Sequence, residues 1–260
     1  MNERKEYLNK FYTEHCDEDI RLDSKYGKVE FITTVNYIDK YLKKGDRLLE
    51  VGAGTGKYSL HYANLGYKVN SIEFIEHNID VFKSKIKDNM DITLEQGDAI
   101  DLSRFADNTF DVTLVLGPLY HLYTDEDVDK AISEAIRVTK KNGIIVFAYL
   151  TNDSIILSYG LMKDHLLEKS CWDENFKVVS KADEIFRAFY INDFKEMMNK
   201  YNIEYLHNVA SNGLTKFFRE KINSLNDEEY DVWIKYHLST CEREDLQGFS
   251  THMIYVCKKK

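Results

Sequence analysis

The chain has 260 residues, of which 43% are hydrophobic and 30% charged, and its formal net charge is −9. This length can bury a sizeable core, and the composition is typical of folded globular chains. The acidic balance argues against a general affinity for nucleic acid, which requires a basic face. No apolar run reaches the roughly 18 residues of a membrane span, and the first residues lack the apolar core of a signal peptide. We therefore expect a cytoplasmic protein without membrane or nucleic acid partners.

The first 150 residues predict alternating strands and helices. Apolar spacing predicts a helix at about 29–42, then strands at 47–51, 68–74, 92–96 and 110–116, with helices near 58–65 and 77–87 between them. Another helix is predicted to begin after Thr124, a good N-cap, and the sequence 140–143 is expected to end it before a fifth strand at 144–150. Strands separated by single helices pair in parallel through right-handed crossovers, which predicts a doubly wound sheet.

The pattern changes after residue 150. Residues 151–190 are rich in aromatic side chains and are predicted to be mostly helical, and strand-like runs return at about 203–209 and 253–257. The predicted fold class is α/β, a mostly parallel seven-stranded sheet with an antiparallel C-terminal edge. We expect a cofactor-binding core with an N-terminal helical segment at 1–150, a helical substrate cap at 151–200, and strands and helices at 201–260 that complete the same sheet.

A glycine run follows the first predicted strand. Gly52, Gly54 and Gly56 stand at alternate positions, where glycine lets the backbone turn sharply and lets a ligand lie against it. The next helix points its N-terminal N–H groups at the same place. Glu73, about twenty residues further on, ends the second strand, where an acid can accept hydrogen bonds from ribose hydroxyls. The pattern indicates a ligand that contains adenosine.

A nicotinamide dinucleotide is one such ligand. Its sites usually show Gly-x-Gly-x-x-Gly, whereas the third glycine here follows the second by two residues. Tyr159 and Lys163 match the Tyr-x-x-x-Lys pair of short-chain dehydrogenases, but the glycine motif of those enzymes is absent. An NAD(P)-dependent oxidoreductase is therefore kept as an alternative.

The motifs together resemble the class I S-adenosylmethionine-dependent methyltransferases. The resemblance covers roughly residues 30–150 and is carried by Glu50 to Gly56, Glu73, Gly97-Asp98-Ala99, Phe110-Asp111 and the segment 134–144. The segment 117–122, Gly-Pro-Leu-Tyr-His-Leu, resembles a subgroup of small bacterial members. The resemblance implies a Rossmann-like methyltransferase fold, S-adenosyl-L-methionine as methyl donor and S-adenosyl-L-homocysteine as product.

The resemblance also assigns residues to each part of the cofactor. The methionine ammonium and carboxylate would be held by Glu50 and by the backbone of Gly52, Ala53, Gly54 and Gly56. The nucleoside would be held by Glu73 on the ribose, Phe74 against the adenine, Asp98 on the adenine amino group and the Ala99 N–H on the ring. The end of the fourth strand would add Leu116 and Gly117.

The catalytic residues are expected just after the fourth strand. Ligands bind at the carboxyl ends of parallel strands, and positioning can supply most of the acceleration of methyl transfer from a sulfonium. His121 is the candidate general base, because its pKa lies near the working range. Tyr120 is predicted to orient the acceptor or to contact the sulfonium by a cation–π interaction. For both side chains a packing role is the alternative.

The sequence thus predicts a methyltransferase that acts on a small molecule by direct in-line transfer, without a metal ion. Gly117-Pro118-Leu119-Tyr120 is similar to the Asn/Asp-Pro-Pro-Tyr/Phe motif of nucleobase amino methyltransferases, but Gly117 lacks the side-chain oxygen that this chemistry uses. A non-catalytic S-adenosylmethionine-binding protein is a further alternative. The segment 26–34 is expected either to fold over the cofactor or to pack as a helix on the sheet. The sequence does not identify the acceptor or the oligomeric state.

Overall fold

A seven-stranded sheet forms the centre of the chain. The computed structural model describes residues 3–15, 22–168, 170–180 and 186–260. In chain order the strands are β1 Arg47–Val51, β2 Lys68–Glu73, β3 Ile92–Gln96, β4 Phe110–Val115, β5 Thr139–Leu150, β6 Ile203–Ala210 and β7 His252–Lys259. Their order in the sheet is β3-β2-β1-β4-β5-β7-β6. Strands β1 to β5 pair in parallel, and β7 pairs antiparallel with both β5 and β6. The predicted fold class is confirmed.

The α-helices of the described residues are α1 Glu3–Lys10, α2 Lys25–Asp39, α3 Lys57–Asn64, α4 Glu76–Lys85, α5 Asp125–Val138, α6 Asn152–Ile155, α7 Ile191–Met198, α8 Arg219–Ser224, α9 Asp227–Thr240 and α10 Glu244–Gln247. Of these, α3, α4 and α5 connect successive parallel strands, whereas turns connect β3 to β4. A π-helical turn at Phe11–His15 continues α1. Helix α5 begins as predicted, because the Thr124 side chain accepts a hydrogen bond from the Asp127 N–H at 3.1 Å. None of the helices in the described residues has the length and apolarity required to cross a membrane.

The central strands are buried because the parallel part of the sheet is covered on both faces. Strand β1 is buried from Leu48 to Val51, and β4 is buried at every position except Asp111. Asp111 accepts the Arg47 N–H at 2.9 Å and pairs with Lys140, so this acid closes the amino-terminal edge of the sheet. The apolar runs in the sequence therefore identify the centre of the core.

Strand β5 begins earlier than the sequence predicts. The sequence predicts that residues 140–143 end the helix and that the strand begins at 144, but the strand starts directly after α5, at Thr139. The pairing of β4 with β5 shifts register between Phe110 and Val112, and Asn142 has a φ of +63°. An irregularity of this kind absorbs extra residues without ending the strand. The residues 140–143 are thus part of the strand as an irregularity in its pairing.

The prediction of a mostly helical segment at 151–190 is wrong for most of its described residues. Helix α6 and a π-helical turn at Ile156–Leu161 lie at its beginning, and the described residues from 162 to 190 form turns and extended stretches. Hydrogen bonds from side chains to the backbone replace the backbone hydrogen bonds of a helix there. The Asn152 side chain donates to the Phe176 carbonyl at 2.9 Å and accepts the Val178 N–H at 2.8 Å. Polar side chains that bond to the backbone compete with helix formation in this way.

Candidate cofactor site

A cleft opens where β1, β2, β3 and β4 end. It encloses about 870 Å³, its open mouth included. All residues that the sequence assigned to the cofactor or to catalysis line this cleft, with the exception of Gly56. They are Glu50, Gly52, Ala53, Gly54, Glu73, Phe74, Asp98, Ala99, Leu116, Gly117, Tyr120 and His121. The parallel topology brings them together because it places the carboxyl ends of these four strands at one edge.

The glycine turn after β1 is shaped by two close contacts. Gly52 has a φ of +75°, and a Cβ atom there would lie 2.6 Å from Cδ of Pro118. Gly56 has a φ of +88°, and a Cβ atom there would lie 2.3 Å from the Phe82 ring. Both positions therefore require glycine. Gly52 faces the cleft, whereas the glycine at position 56 allows α3 to pack closely on α4.

Glu73 is the last residue of β2 and lines the cleft. Its side chain is buried and accepts the Gly54 N–H at 2.7 Å and the Ile75 N–H at 2.9 Å. Burial raises its pKa, while these backbone donors oppose the shift. The oxygen that bonds to Ile75 also accepts the Asn78 amide at 3.4 Å, whereas the oxygen that bonds to Gly54 has a further lone pair for a ligand. The position fits a ribose diol.

Glu50 lies at the end of β1 beneath the glycine turn. One carboxylate oxygen accepts the Ser59 N–H at 2.9 Å, and the Ser59 hydroxyl donates to the same oxygen. Burial raises the pKa of Glu50 to about 8, and the hydrogen bonds from Ser59 oppose that shift. A buried acid with a raised pKa is favourably placed for a cationic ligand group, because a nearby positive charge stabilises the ionised form.

The third strand ends beside Phe74, Asp98 and Ala99, the residues expected to hold adenine. Here the structure adds a residue that the sequence did not indicate. Arg4 of α1 forms an ion pair with Asp98, and its guanidinium carbon lies 4.9 Å from the centre of the Phe74 ring. The pair joins positions 94 residues apart, so no local pattern could have revealed it.

The fourth strand leads into a 3₁₀ turn, Pro118–His121, at the other side of the cleft. Gly117 has a φ of −146°, so its backbone does not demand glycine, and the missing side chain leaves room towards the cleft. The Tyr120 hydroxyl donates to the Leu116 carbonyl at 3.1 Å. The Tyr120 ring packs against the His121 ring, with their centres 4.9 Å apart.

His121 is enclosed by aromatic rings. Its Nε2 atom lies 2.7 Å from the Tyr12 hydroxyl, and the Phe186 ring centre lies 4.9 Å from the imidazole. Burial, together with the charge of Arg4, lowers the pKa of His121 to about 3, so the ring is neutral near pH 7. The Nδ1 atom is buried and has no hydrogen-bond partner among the described residues. The hydrogen bond with Tyr12 uses Nε2, whichever of the two side chains donates it. Nδ1 is therefore left for a ligand.

Of the two alternatives for the segment 26–34, the structure shows the packed helix, and another segment covers the cleft. Arg4, Leu8 and Tyr12, from α1 and its π-helical continuation, line the cleft, whereas no residue of 26–34 does. That segment instead lies in α2, where residues such as Val29 are buried. The sequence signal at the N-terminus was weak because α1 has few apolar residues.

The dehydrogenase-like pair is not part of the cleft. Neither Tyr159 nor Lys163 is among the residues that line it. The Tyr159 hydroxyl donates to Glu168 at 3.0 Å, and its ring stacks on His165 with the centres 4.3 Å apart. Within the described part of the chain there is also no group of three His, Cys, Asp or Glu residues that could hold a metal ion.

Comparison with known proteins agrees with this geometry. Residues 49–147, from β1 to β5, match the protein family described as methyltransferase domain. Among solved structures, a protein of Pyrococcus horikoshii aligns over 96% of this chain and 99% of its own, with a TM-score of 0.63 and 15% identity. A SAM-dependent methyltransferase of Methanosarcina mazei aligns over 86% of this chain and 96% of its own, with a TM-score of 0.57 and 16% identity. These structures share the fold.

Curated relatives match part of the chain. Demethylmenaquinone methyltransferase of Paenarthrobacter aurescens is 32% identical over 126 residues, which are 48% of this chain and 47% of the relative. The enzyme of the same name from Renibacterium salmoninarum is 39% identical over 105 residues, which are 40% and 41% of the two chains. The chain thus spans less than half the length of these relatives. Residues 49–147 form a methyltransferase domain of the class I, S-adenosylmethionine-dependent type, and the cofactor that this domain uses is S-adenosyl-L-methionine.

Proposed function

We propose that the whole chain is an enzyme that transfers the methyl group of S-adenosyl-L-methionine directly to a small-molecule acceptor. The observation that carries this proposal is the enclosure of His121. The imidazole is 9% exposed, aromatic rings from three parts of the chain surround it, and its Nδ1 atom has no hydrogen-bond partner in the described residues. An enclosed aromatic site with a single polar atom suits a small molecule better than an extended polymer.

The strand order supports one orientation of the cofactor. With the ribose on Glu73 at the end of β2, the adenine extends towards the end of β3, at Asp98. The methionine part then extends the other way, across the glycine turn towards Glu50 and the end of β4. The methyl group would thus face Gly117 and the 3₁₀ turn that carries Tyr120 and His121.

In this proposal Nδ1 of His121 accepts a hydrogen bond from the acceptor and orients it. The pKa of about 3 lies far below the working range that the sequence predicted, so the imidazole is too weak a base to take a proton near pH 7. A buried imidazole nitrogen without a partner costs about 1–3 kcal/mol, and an acceptor hydroxyl or amine would supply the missing hydrogen bond. The aromatic rings exclude water, so that the sulfonium meets only the acceptor. Tyr120 contributes its ring face, which favours the positive charge of the sulfonium.

The segment 151–200 is proposed as the substrate cap. Its Phe186 ring packs against two other rings. The ring centre lies 4.9 Å from that of His121 and 5.3 Å from that of Phe11. Phe11 belongs to the N-terminal segment, so two segments outside the methyltransferase domain meet over the expected methyl position. Acceptor choice would then depend on residues outside the methyltransferase domain.

Titration calorimetry separates the cofactor alternatives. We expect S-adenosyl-L-homocysteine to bind and NADH and NADPH not to bind. Binding of a nicotinamide nucleotide without binding of S-adenosyl-L-homocysteine would refute the proposal.

A labelling experiment tests the acceptor class. The protein is incubated with methyl-labelled S-adenosyl-L-methionine and either a low-molecular-weight metabolite fraction or a dialysed protein fraction. The second fraction is needed because one relative is named ribosomal protein L11 methyltransferase, from Thermotoga neapolitana. We expect label in the metabolite fraction. Label only in protein would replace the small-molecule acceptor, and cofactor binding without any product would favour a non-catalytic protein.

A further inference from the structure

Arg4 occupies the part of the cleft that the proposed function assigns to adenine. Its side chain is 9% exposed although it comes from α1, near the start of the chain. The guanidinium pairs with the Asp98 carboxylate and lies over the Phe74 ring, with its central carbon 4.9 Å from the ring centre. The inference below rests on the proposed function, because it takes these two groups as the adenine subsite.

The two contacts of Arg4 are those that an adenine base would make. Adenine is planar, presents amino hydrogens to an acceptor and stacks on an aromatic face. A guanidinium is also planar, donates N–H groups to a carboxylate and is attracted to an aromatic face. Arg4 makes both the ion pair and the ring contact, so its guanidinium resembles a bound adenine base.

Both occupants cannot use the subsite at once. If adenine lies against Phe74 and donates to Asp98, the guanidinium must leave the ring face and release the carboxylate. We propose that Arg4 is a gate of the adenine subsite: it fills the subsite in the free protein and is displaced when the cofactor binds. Its effect on cofactor affinity is therefore unfavourable, although the residue lines the cofactor cleft.

The rest of the segment is held independently of Arg4. Leu8 is 4% exposed, and the Tyr12 hydroxyl lies 2.7 Å from Nε2 of His121. Phe11 packs edge-on against Phe186, with the ring centres 5.3 Å apart. These contacts anchor the segment on the C-terminal side of the side chain that must move, so removal of the guanidinium leaves the cover of the cleft in place.

The same helix supplies a matched control. Lys5 lies next to Arg4 and places Nζ 5.6 Å from the centre of the same Phe74 ring. Lys5→Ala removes one positive charge from the same helix and the same ring, but leaves the pair between Arg4 and Asp98. A difference between the variants at positions 4 and 5 therefore reports on the adenine subsite and not on general charge.

The test is the dissociation constant of S-adenosyl-L-homocysteine, measured by titration calorimetry on the full chain. This ligand lacks the sulfonium charge, so general repulsion by cations is small. We expect Arg4→Ala to bind about tenfold more tightly than the wild type, and Lys5→Ala to bind within about twofold of it. Arg4→Met serves as a second variant, since its stem retains apolar packing on Phe74 while the guanidinium is lost.

Three results would count against the gate. Equal affinity of wild type and both Arg4 variants would show that the guanidinium does not compete, and weaker binding by both would make Arg4 a part of the cofactor site. Equal tightening by Lys5→Ala would reduce the effect to general charge. Absence of binding by the wild type and by every variant would instead refute the proposed function, and the gate with it.

Discussion

Glu50 is a buried acid at the edge of the proposed methionine subsite. Its pKa of about 8 means that the free protein holds it protonated over most of the range between pH 4.5 and 8. The sign follows from the raised pKa: the folded state binds more protons there than the unfolded state, so this group lowers stability as the pH rises through that window. The ammonium of a bound cofactor would reverse the preference by stabilising the ionised carboxylate.

We therefore expect the affinity for S-adenosyl-L-homocysteine to rise between pH 6 and 8, by up to about tenfold per pH unit, because binding releases the Glu50 proton. Above pH 8 the rise should level off. Glu50→Gln should remove this part of the pH dependence, and titration in buffers of different ionisation enthalpy would detect the released proton. The same pH slope in wild type and variant would contradict the assignment of Glu50.

His121 presents the opposite case, a base that burial keeps neutral. We expect His121→Ala to lower turnover by about tenfold, which corresponds to the loss of one orienting hydrogen bond of roughly 1.4 kcal/mol. The affinity for S-adenosyl-L-homocysteine should change less than twofold, because His121 is not among the residues proposed to hold the cofactor. Turnover is measured on the acceptor found by labelling, and unchanged turnover would leave His121 with a packing role alone.

At the scale of elements, the strand–turn–helix unit from β1 to α3 defines the site. Its glycines look equivalent in the sequence, but in the structure each makes different contacts. Gly52 makes room for Pro118, which begins the 3₁₀ turn that carries His121. Gly56 makes room for the Phe82 ring of α4 and does not line the cleft. A single motif thus couples ligand binding to the packing of two helices.

The comparison of Gly56→Ala with Gly66→Ala tests this division. Both glycines have a φ near +87°, at +88° and +86°, but a Cβ atom at Gly66 would meet nothing within 4 Å. Gly66→Ala should therefore lower the free energy of unfolding by about 1–2 kcal/mol through backbone strain alone. Gly56→Ala adds a clash with Phe82 and should cost roughly 1–3 kcal/mol more. Equal losses in denaturant unfolding would show that the ring adjusts without cost.

For the whole molecule, burial of neutral histidines links stability to pH. Burial lowers the pKa of His237 to about 4, and its Nε2 atom has no hydrogen-bond partner in the described residues. Below about pH 6.5 the unfolded chain binds a proton that the folded state excludes until about pH 4. The contribution of this group therefore becomes unfavourable as the pH falls through that window.

His237 lies outside the cleft, so its replacement tests this effect apart from function. Between pH 7.5 and 5 the wild type should lose about 2 kcal/mol more of its unfolding free energy than His237→Gln, each measured against its own value at pH 7.5. Buried acids such as Glu50 shift the absolute curve in the other direction, but they act equally on both proteins. Parallel curves for the two proteins would contradict a depressed pKa.

Local pattern determined the sheet, most of the helices in the parallel part and the carboxyl-end residues of the cleft. The sequence predicted β1 to β4 within a residue or two, most clearly for the buried strands β1 and β4, whose apolar residues form nearly continuous runs. Loop geometry was less predictable. The start of β5 depended on how α5 meets β4, and the segment after α6 depended on hydrogen bonds from Asn152, about 25 residues away from its partners.

The sequence by itself determined the cofactor class, because glycine spacing and the acids at strand ends are local consequences of binding an adenosine group to a parallel sheet. Only the tertiary structure decided what covers that site. Arg4 meets Asp98 and Tyr12 meets His121 across 94 and 109 residues. Contacts over such separations arise from the way the whole chain packs, and no pattern within α1 encodes them.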